Sequence, residues 1–247
     1  MPDPLDFSHL ELGGIPALSD DVGLYYLESE KTAPELRQYL AGLLDSTEQA
    51  RRDRFHSASA QALFELSHGL TRVALSRWHA VEYGSRIDPS AWRFSADHLG
   101  KPAAFLPENN SDAPTAPQFS LSHTPGAALV AVAARGKIGV DLESANRLAD
   151  ALPLANRYFA PEECADVLAQ ADEAAKRRRF LFYWTLKEAY LKALGLGITR
   201  PLASFAFYSD AGEARLLYDH NGVEGEWRFP TLALPGGMMG AVARKTH

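Results

Sequence analysis

Cysteine is nearly absent from this sequence: Cys164 is the single one in 247 residues. No disulfide can form within the chain, which suits a reducing compartment, and a lone cysteine reads as a small, partly buried apolar residue rather than a nucleophile. Long hydrophobic runs are also missing, none approaching the roughly eighteen residues of a membrane span. The opening Met1-Pro2-Asp3-Pro4-Leu5-Asp6 lacks the basic and apolar segments of a secretory signal. A cytoplasmic protein without membrane contact is therefore expected. There is no surplus of positive charge either. A formal net charge of −6 and a pI near 5.8 exclude a general nucleic-acid binder, whose phosphate contacts need a basic surface. His56, His68 and His79 lack metal-ligand spacing and read as surface or helix-packing residues. With 46% hydrophobic and 23% charged residues the chain can bury a full core, in one or two domains.

What is present is concentrated in two stretches. In Ile138-Gly139-Val140-Asp141-Leu142-Glu143 the apolar residues alternate with Gly139, Asp141 and Glu143, the period of a strand, so that both carboxylates share one face. Like charges so placed repel, and neither ion gives up water readily, unless a cation sits between them. Gly139 on that face adds no side chain, leaving room for a metal with its waters or for a phosphate. Magnesium, commonly held by one or two carboxylates plus phosphate oxygens, suits the arrangement. The plainer alternative is an acidic pair on a solvent-facing strand. The second stretch is Trp184-Thr185-Leu186-Lys187-Glu188-Ala189-Tyr190-Leu191-Lys192, with apolar Phe180, Tyr183, Trp184, Leu191 and Leu194 at helical spacing. Glu188 and Lys192, four apart, lie one above the other. As a surface ion pair they would contribute only about 0.3–0.5 kcal/mol. Beside aromatics, and ahead of Gly195-Leu196-Gly197, they fit an anionic-substrate site better.

The rest of the chain supplies the frame. A strand is expected at Val22–Leu27, a helix from Ser46 to about Arg54 carrying Arg51, Arg52 and Arg54, and a long helix from about Ser59 to Glu82. Residues 1–20 read as an irregular lead-in, and Leu99-Gly100-Lys101-Pro102 as a turn with a lysine at its tip. Residues 107–118 read as a flexible connection. Phe119-Ser120-Leu121-Ser122-His123 runs into the strand Ala127–Ala134, and Arg135-Gly136-Lys137 is expected to fold that strand back on the carboxylate strand as a hairpin. Ser122 and His123 then fall at a strand end suited to phosphate recognition. Pro161-Glu162-Glu163 opens a further helix. Lys176-Arg177-Arg178-Arg179 forms a solvated basic face or a docking site for an acidic protein. Short strands near Ser204–Tyr208, Ala214–Tyr218, Glu226–Phe229 and Met239–Ala243 follow.

Phe119, Pro125, Gly126 and Ala131-Val132-Ala133 recur 110 residues on as Phe229, Pro235, Gly236 and Ala241-Val242-Ala243. This predicts an α+β fold of two similar α/β halves related by a pseudo-twofold, residues 1–135 and 136–247, each an antiparallel sheet packed with a long helix. The motifs for metal fall in the second half, and a ligand site is expected where the halves join.

Taken together, Gly100-Lys101-Pro102, Phe119-Ser120-Leu121-Ser122-His123 and the two motif stretches resemble the phosphopantetheinyl transferases of the long, single-chain surfactin-synthetase-activator type. The resemblance runs from about Leu43 to the C-terminus. It implies magnesium-dependent transfer of the 4′-phosphopantetheine arm of coenzyme A to a serine of an apo acyl or peptidyl carrier protein, releasing adenosine 3′,5′-bisphosphate. It further implies Asp141, Glu143 and Glu188 as magnesium ligands, with Glu188 taking the serine proton directly or through a metal-bound water. Lys192 would stabilise the pyrophosphate and the leaving group; Lys101, Ser122 and His123 would contact coenzyme A phosphates, His123 joining the catalytic set. Arg51 falls where the family often has a basic residue near the 3′-phosphate. Relatives often carry a basic or small polar pair where this chain has Leu63-Phe64. A monomer is expected. Two other classes would use the same residues: a magnesium-dependent hydrolase of nucleotide pyrophosphates, with water in place of the serine, and a noncatalytic carrier-binding module.

Overall fold

Two long helices, each laid on its own antiparallel sheet, set the architecture. The computed structural model describes residues 21–96, 100–107, 117–145, 151–197, 200–210, 213–221 and 225–246; the expected lead-in and most of the 107–118 connection lie outside them. In chain order the elements are β1 (Val22–Glu28), α1 (Pro34–Gly42), α2 (Ser46–Arg52), α3 (Ala58–Tyr83), β2 (Arg93–Ala96), β3 (Pro102–Phe105), β4 (Gln118–Thr124), β5 (Ala127–Ala133) and β6 (Lys137–Ser144). Then come α4 (Ala151–Tyr158), α5 (Pro161–Leu168), α6 (Glu173–Leu194), β7 (Phe205–Asp210), β8 (Glu213–Asp219), β9 (Glu226–Arg228), β10 (Thr231–Leu234) and β11 (Met238–Thr246). They fall into two compact units, one from Met1–Asp97 and Pro102–Arg135, the other from His98–Lys101 and Gly136–His247.

In the first unit β1, β5 and β4 pair antiparallel in that order. The strongly apolar β5 takes the centre, where every residue is buried. Helix α3 covers the face carrying Tyr25, Leu27, Val130 and Val132, presenting Leu66, Leu70, Val73 and Trp78. Its start is capped by the Ser57 hydroxyl, which accepts from Ala60 N at 3.1 Å, and its end by Gly84 at φ 67°. Helix α1 went unread in the sequence although Pro34 opens it and Leu36, Tyr39, Leu40 and Leu43 follow helical spacing. It packs on α3 at Gly69, where a Cβ would stand 2.6 Å from Leu40 Cβ. Helix α2 begins in a capping box: the Asp45 carboxylate accepts from Thr47 N and Glu48 N at 3.0 Å, and Glu48 accepts from Asp45 N at 3.1 Å.

The second unit also sets a long helix on an antiparallel sheet. Its sheet runs β10-β11-β6 with β9 also on β11, and α6 packs on β6 and β11. Strand, long helix, hairpin strand and hairpin strand follow one another in both units, and in both the last strand is central. The 110-residue echo marks those hairpins: Pro125-Gly126 joins β4 to β5, and Pro235-Gly236 begins the turn from β10 to β11. The second turn holds one more residue, so Thr124 pairs with Ala127 but Leu234 pairs with Met238. The expected hairpin of β5 with β6 does not form. Both edges of β5 are already hydrogen-bonded, to β1 and β4, and β6 pairs with β11. The chain turns at Gly136 (φ 72°), where a Cβ would stand 2.4 Å from Lys245 O.

A fully buried ion pair ties α6 to its unit: Lys187 Nζ lies 2.8 Å from Glu163 Oε2 and donates to Leu202 O at 2.7 Å and Phe205 O at 2.6 Å. Glu163 accepts in turn from Phe207 N at 2.9 Å and Ala160 N at 3.1 Å. All polar atoms of the pair are matched, so its desolvation is offset by hydrogen bonds from α5, α6 and β7. Lys187→Met alone would strand the Glu163 carboxylate and is expected to lower unfolding free energy by about 3–5 kcal/mol in guanidinium titration. Combining it with Glu163→Leu should recover most of that loss; a double variant as unstable as the single one would show that the pair contributes more than its charges.

Candidate active site

Helix α6 starts at Asp172, whose carboxylate accepts from Ala175 N at 2.7 Å, and stops at Gly195 (φ 76°). From Tyr183 to Leu194 every side chain is buried except Trp184, Glu188 and Lys192. Spaced by four, these three form one stripe along the helix. The neighbouring turns explain the rest: Ala189 and Ala193 press on β6, while Phe180, Tyr183, Leu186, Tyr190 and Leu191 fill the core with Phe205 and Phe207.

Gly139 decides how close the stripe comes to the carboxylates. A Cβ at Gly139 would stand 2.0 Å from Ala189 O and 2.4 Å from Ala193 N. The space this glycine opens is thus filled by the backbone of α6, not left for a metal with its waters or for a phosphate, which corrects the sequence expectation. Its effect is to bring the helix against the strand. Lys192 Nζ then reaches Asp141 Oδ1 at 2.7 Å, with Asp141 only 5% exposed. Ile138, Val140 and Leu142, on the opposite face of β6, are buried as the alternation predicts.

Glu188 is the strained member of the group. Its Oε1 is buried and accepts no hydrogen bond. Burial first, then the charges of Asp141 and Glu143, push its carboxyl up to about 7, against the opposing pull of Lys192. Three carboxylates, Asp141, Glu143 and Glu188, thus act on one another beside the Lys192 ammonium. Among the described residues no three His, Cys, Asp or Glu side chains are gathered into a set that could hold a metal ion. What suits magnesium is the donor chemistry: an all-oxygen carboxylate group that includes the orphaned buried Oε1 of Glu188, the type of donor a hard cation takes. Lys101 Nζ donates to Ile138 O at 3.1 Å and Ala193 O at 3.3 Å, clamping β6 to the end of α6, where the helix dipole favours a cation.

The other expected residues belong to the first unit. Ser122 and His123 are neighbours on β4 and so face opposite sides: Ser122 is buried and His123 exposed. Arg51 is exposed on α2, its guanidinium carbon 5.7 Å from the centroid of the Phe64 ring. Sequence inspection missed what lies beneath it. Arg72, fully buried, donates to Glu48 Oε2 at 2.5 Å, Asp45 Oδ2 at 3.2 Å and Trp92 O at 2.6 Å, while His68 Nδ1 lies 2.8 Å from Glu48 Oε1. Burial would raise the Glu48 carboxyl, but hydrogen bonds from His68 and Arg72 outweigh it and hold it near 2. Helical spacing carried the only sequence signal: His68 and Arg72 are four apart.

Residues 137–234 match the model of the 4′-phosphopantetheinyl transferase superfamily. The chain is 35% identical over 183 residues to the 4′-phosphopantetheinyl transferase HetI of Nostoc sp., covering 74% of this chain and 72% of that one. To the 4′-phosphopantetheinyl transferase Sfp of Bacillus subtilis it is 28% identical over 181 residues, 73% of each chain. A crystal structure of Thermotoga maritima holo-[acyl-carrier-protein] synthase aligns at a TM-score of 0.38 and 20% identity, over 44% of this chain and 64% of that one.

Gly139→Ala would force a methyl into helix backbone, which cannot turn aside as a flexible side chain can. The expected cost is about 3 kcal/mol or more, read by denaturant unfolding. A change within about 0.5 kcal/mol, the range of ordinary surface substitutions, would mean the helix does not need the close approach.

Proposed function

This chain belongs to the 4′-phosphopantetheinyl transferase superfamily, and from that premise we propose that it moves the 4′-phosphopantetheine arm of coenzyme A to a serine of an apo carrier protein at the Asp141, Glu188 and Lys192 group. The observation that carries this site is the Gly139 contact, which sets a stripe of partly exposed side chains on α6 beside the carboxylates of β6. The other product is adenosine 3′,5′-bisphosphate: the serine oxygen bonds to the phosphorus bearing the pantetheine arm, and the pyrophosphate P–O bond breaks.

In this reading Asp141, Glu143 and Glu188 hold magnesium. The ion supplies charge neutralisation at the pyrophosphate when bound. Glu188 accepts the serine proton. Lys192, whose ammonium lies 2.7 Å from Asp141 Oδ1, stabilises charge on the departing bisphosphate. Lys101, Ser122 and the exposed His123 meet coenzyme A phosphates, and Arg51 meets the 3′-phosphate. The shared order of strands and helix supports two related halves within one chain, and we read the enzyme as monomeric and cytoplasmic. Among the described residues no helix is long and apolar enough to cross a membrane.

The basic run at the start of α6 is the proposed carrier-docking face. Lys176 is held by Glu173 at 2.9 Å and Arg179 by Asp166 at 2.5 Å, leaving Arg177 and Arg178 exposed on the helix. An acidic carrier helix suits such a surface through steering and orientation.

Intact-mass measurement of an apo carrier incubated with the protein, coenzyme A and magnesium tests the function. The carrier should gain one phosphopantetheine mass, and chelator should abolish the gain; cleaved coenzyme A with an unmodified carrier would point to a hydrolase instead. Asp141→Asn should lose roughly a hundredfold or more of that activity while unfolding at a similar temperature. Undiminished transfer by this variant would remove Asp141 from the metal set. Charge reversal of Arg177 and Arg178 to Glu should raise KM for the carrier several-fold and leave KM for coenzyme A in place, and an equal rise for both would refute docking there.

A further inference from the structure

The arginines at the end of α2 have different fates. Arg52 is neutralised, with Asp53 Oδ1 at 2.7 Å and Glu65 Oε1 at 3.0 Å. Arg51 is exposed and forms no ion pair with a described residue; its guanidinium rests on the face of Phe64. Phe64 is itself 4% exposed and fixed from behind. Its other contacts are His68, stacked at 3.9 Å between centroids with a 26° tilt, and Phe55 at 5.5 Å. His68 is held by Glu48, and Glu48 by the buried Arg72. A continuous series of contacts thus runs from a buried ion pair in the core, through an imidazole and a phenyl ring, to one exposed cation.

Resting on the proposed contact of Arg51 with the nucleotide, we propose that Phe64 is a positioning residue: its ring holds the Arg51 guanidinium ready for a phosphomonoester, the 3′-phosphate of coenzyme A, and so sets the preference for coenzyme A over 3′-dephospho-coenzyme A. A long arginine side chain loses rotamer freedom when it grips a phosphate. A ring beneath the guanidinium removes part of that freedom beforehand and leaves the N–H donors at its rim pointing outward. The aromatic residue stands at a place where the resemblance leads one to expect a basic or small polar one. The chain therefore strengthens one cation by orienting it, in place of adding a second. His68, in turn, keeps the ring from rotating.

Kinetics with coenzyme A and with 3′-dephospho-coenzyme A, using an apo carrier as acceptor, test this. Wild type should prefer coenzyme A. Phe64→Leu should cut the ratio of the two kcat/KM values about two- to fivefold, the scale of a partly exposed cation–π contact. The change should lie in KM for coenzyme A, and Phe64→Tyr, which keeps the ring face, should restore the ratio relative to Phe64→Leu. In Arg51→Gln the ratio should fall further, and adding Phe64→Leu should then lower it no more. A wild-type preference that Phe64→Leu leaves intact would overturn the proposal, as would equal losses with both substrates, the pattern of general destabilisation. Should Phe64→Leu not fold, calorimetric binding of adenosine 3′,5′-bisphosphate and adenosine 5′-phosphate to wild type and Phe64→Tyr serves the same end: the 3′-phosphate preference should persist in the tyrosine variant, which keeps the ring face, and its loss there would overturn the proposal. Wild type that transfers from both substrates equally would instead refute the Arg51 contact, and no transfer from either would refute the transferase reaction itself.

Discussion

Helix α6 meets strand β6 at a separation that only glycine permits. Ala189 and Ala193 on the helix lie over Gly139 so closely that a single methyl would overlap the Ala189 carbonyl and the Ala193 amide. From that contact follow the positions of the groups on either side: Asp141 two residues along the strand, and Glu188 and Lys192 beside the two alanines on the helix. The ammonium of Lys192 spans the remaining gap to Asp141. Lys101, bonded to Ile138 O and Ala193 O, clamps the same two elements at the end of α6. Packing of backbone on backbone, rather than attraction between charges, sets these side chains beside one another.

Buried charge in this protein divides sharply by how well it is partnered. Lys187 and Glu163 satisfy each other and four backbone groups. Asp219 receives Arg200 through both oxygens and the Tyr190 hydroxyl at 2.7 Å. Glu48 is matched by Arg72, His68 and Asp45 N. Each of these offsets its desolvation and locks elements together. Glu188 differs: one oxygen is buried without a donor, and two more carboxylates act on it. Such an imbalance costs stability in the isolated protein.

The same contrast separates the basic residues. Arg52, Lys176 and Arg179 are held by neighbouring carboxylates within the chain. Arg51, Arg177 and Arg178 are exposed. A net charge of −6 thus conceals cations in different settings, some paired within the chain and some exposed.

Much of the site was legible in the order of residues. Alternation in 138–143 places Asp141 and Glu143 on one face, and spacing by four aligns Glu188 with Lys192, because strand and helix periods are properties of the backbone alone. The common offset of Pro125-Gly126 and Pro235-Gly236 is visible in the sequence, as turn chemistry is local, but there it reads as a sign of two similar halves, and the hairpin is expected at Arg135-Gly136-Lys137 instead. Tertiary structure decided the rest. Which strand β5 pairs with depends on both its edges being taken by β1 and β4, partners distant or adjacent in sequence alike. That Gly139 admits a helix, and not a ligand, depends on what packs against it. Lys187 and Glu188 are adjacent in sequence, yet one is sealed in a satisfied ion pair and the other left with an orphaned oxygen, because the helix turns them by about 100° toward different surroundings. Periodicity tells which side chains share a face; only the folded chain determines what that face meets.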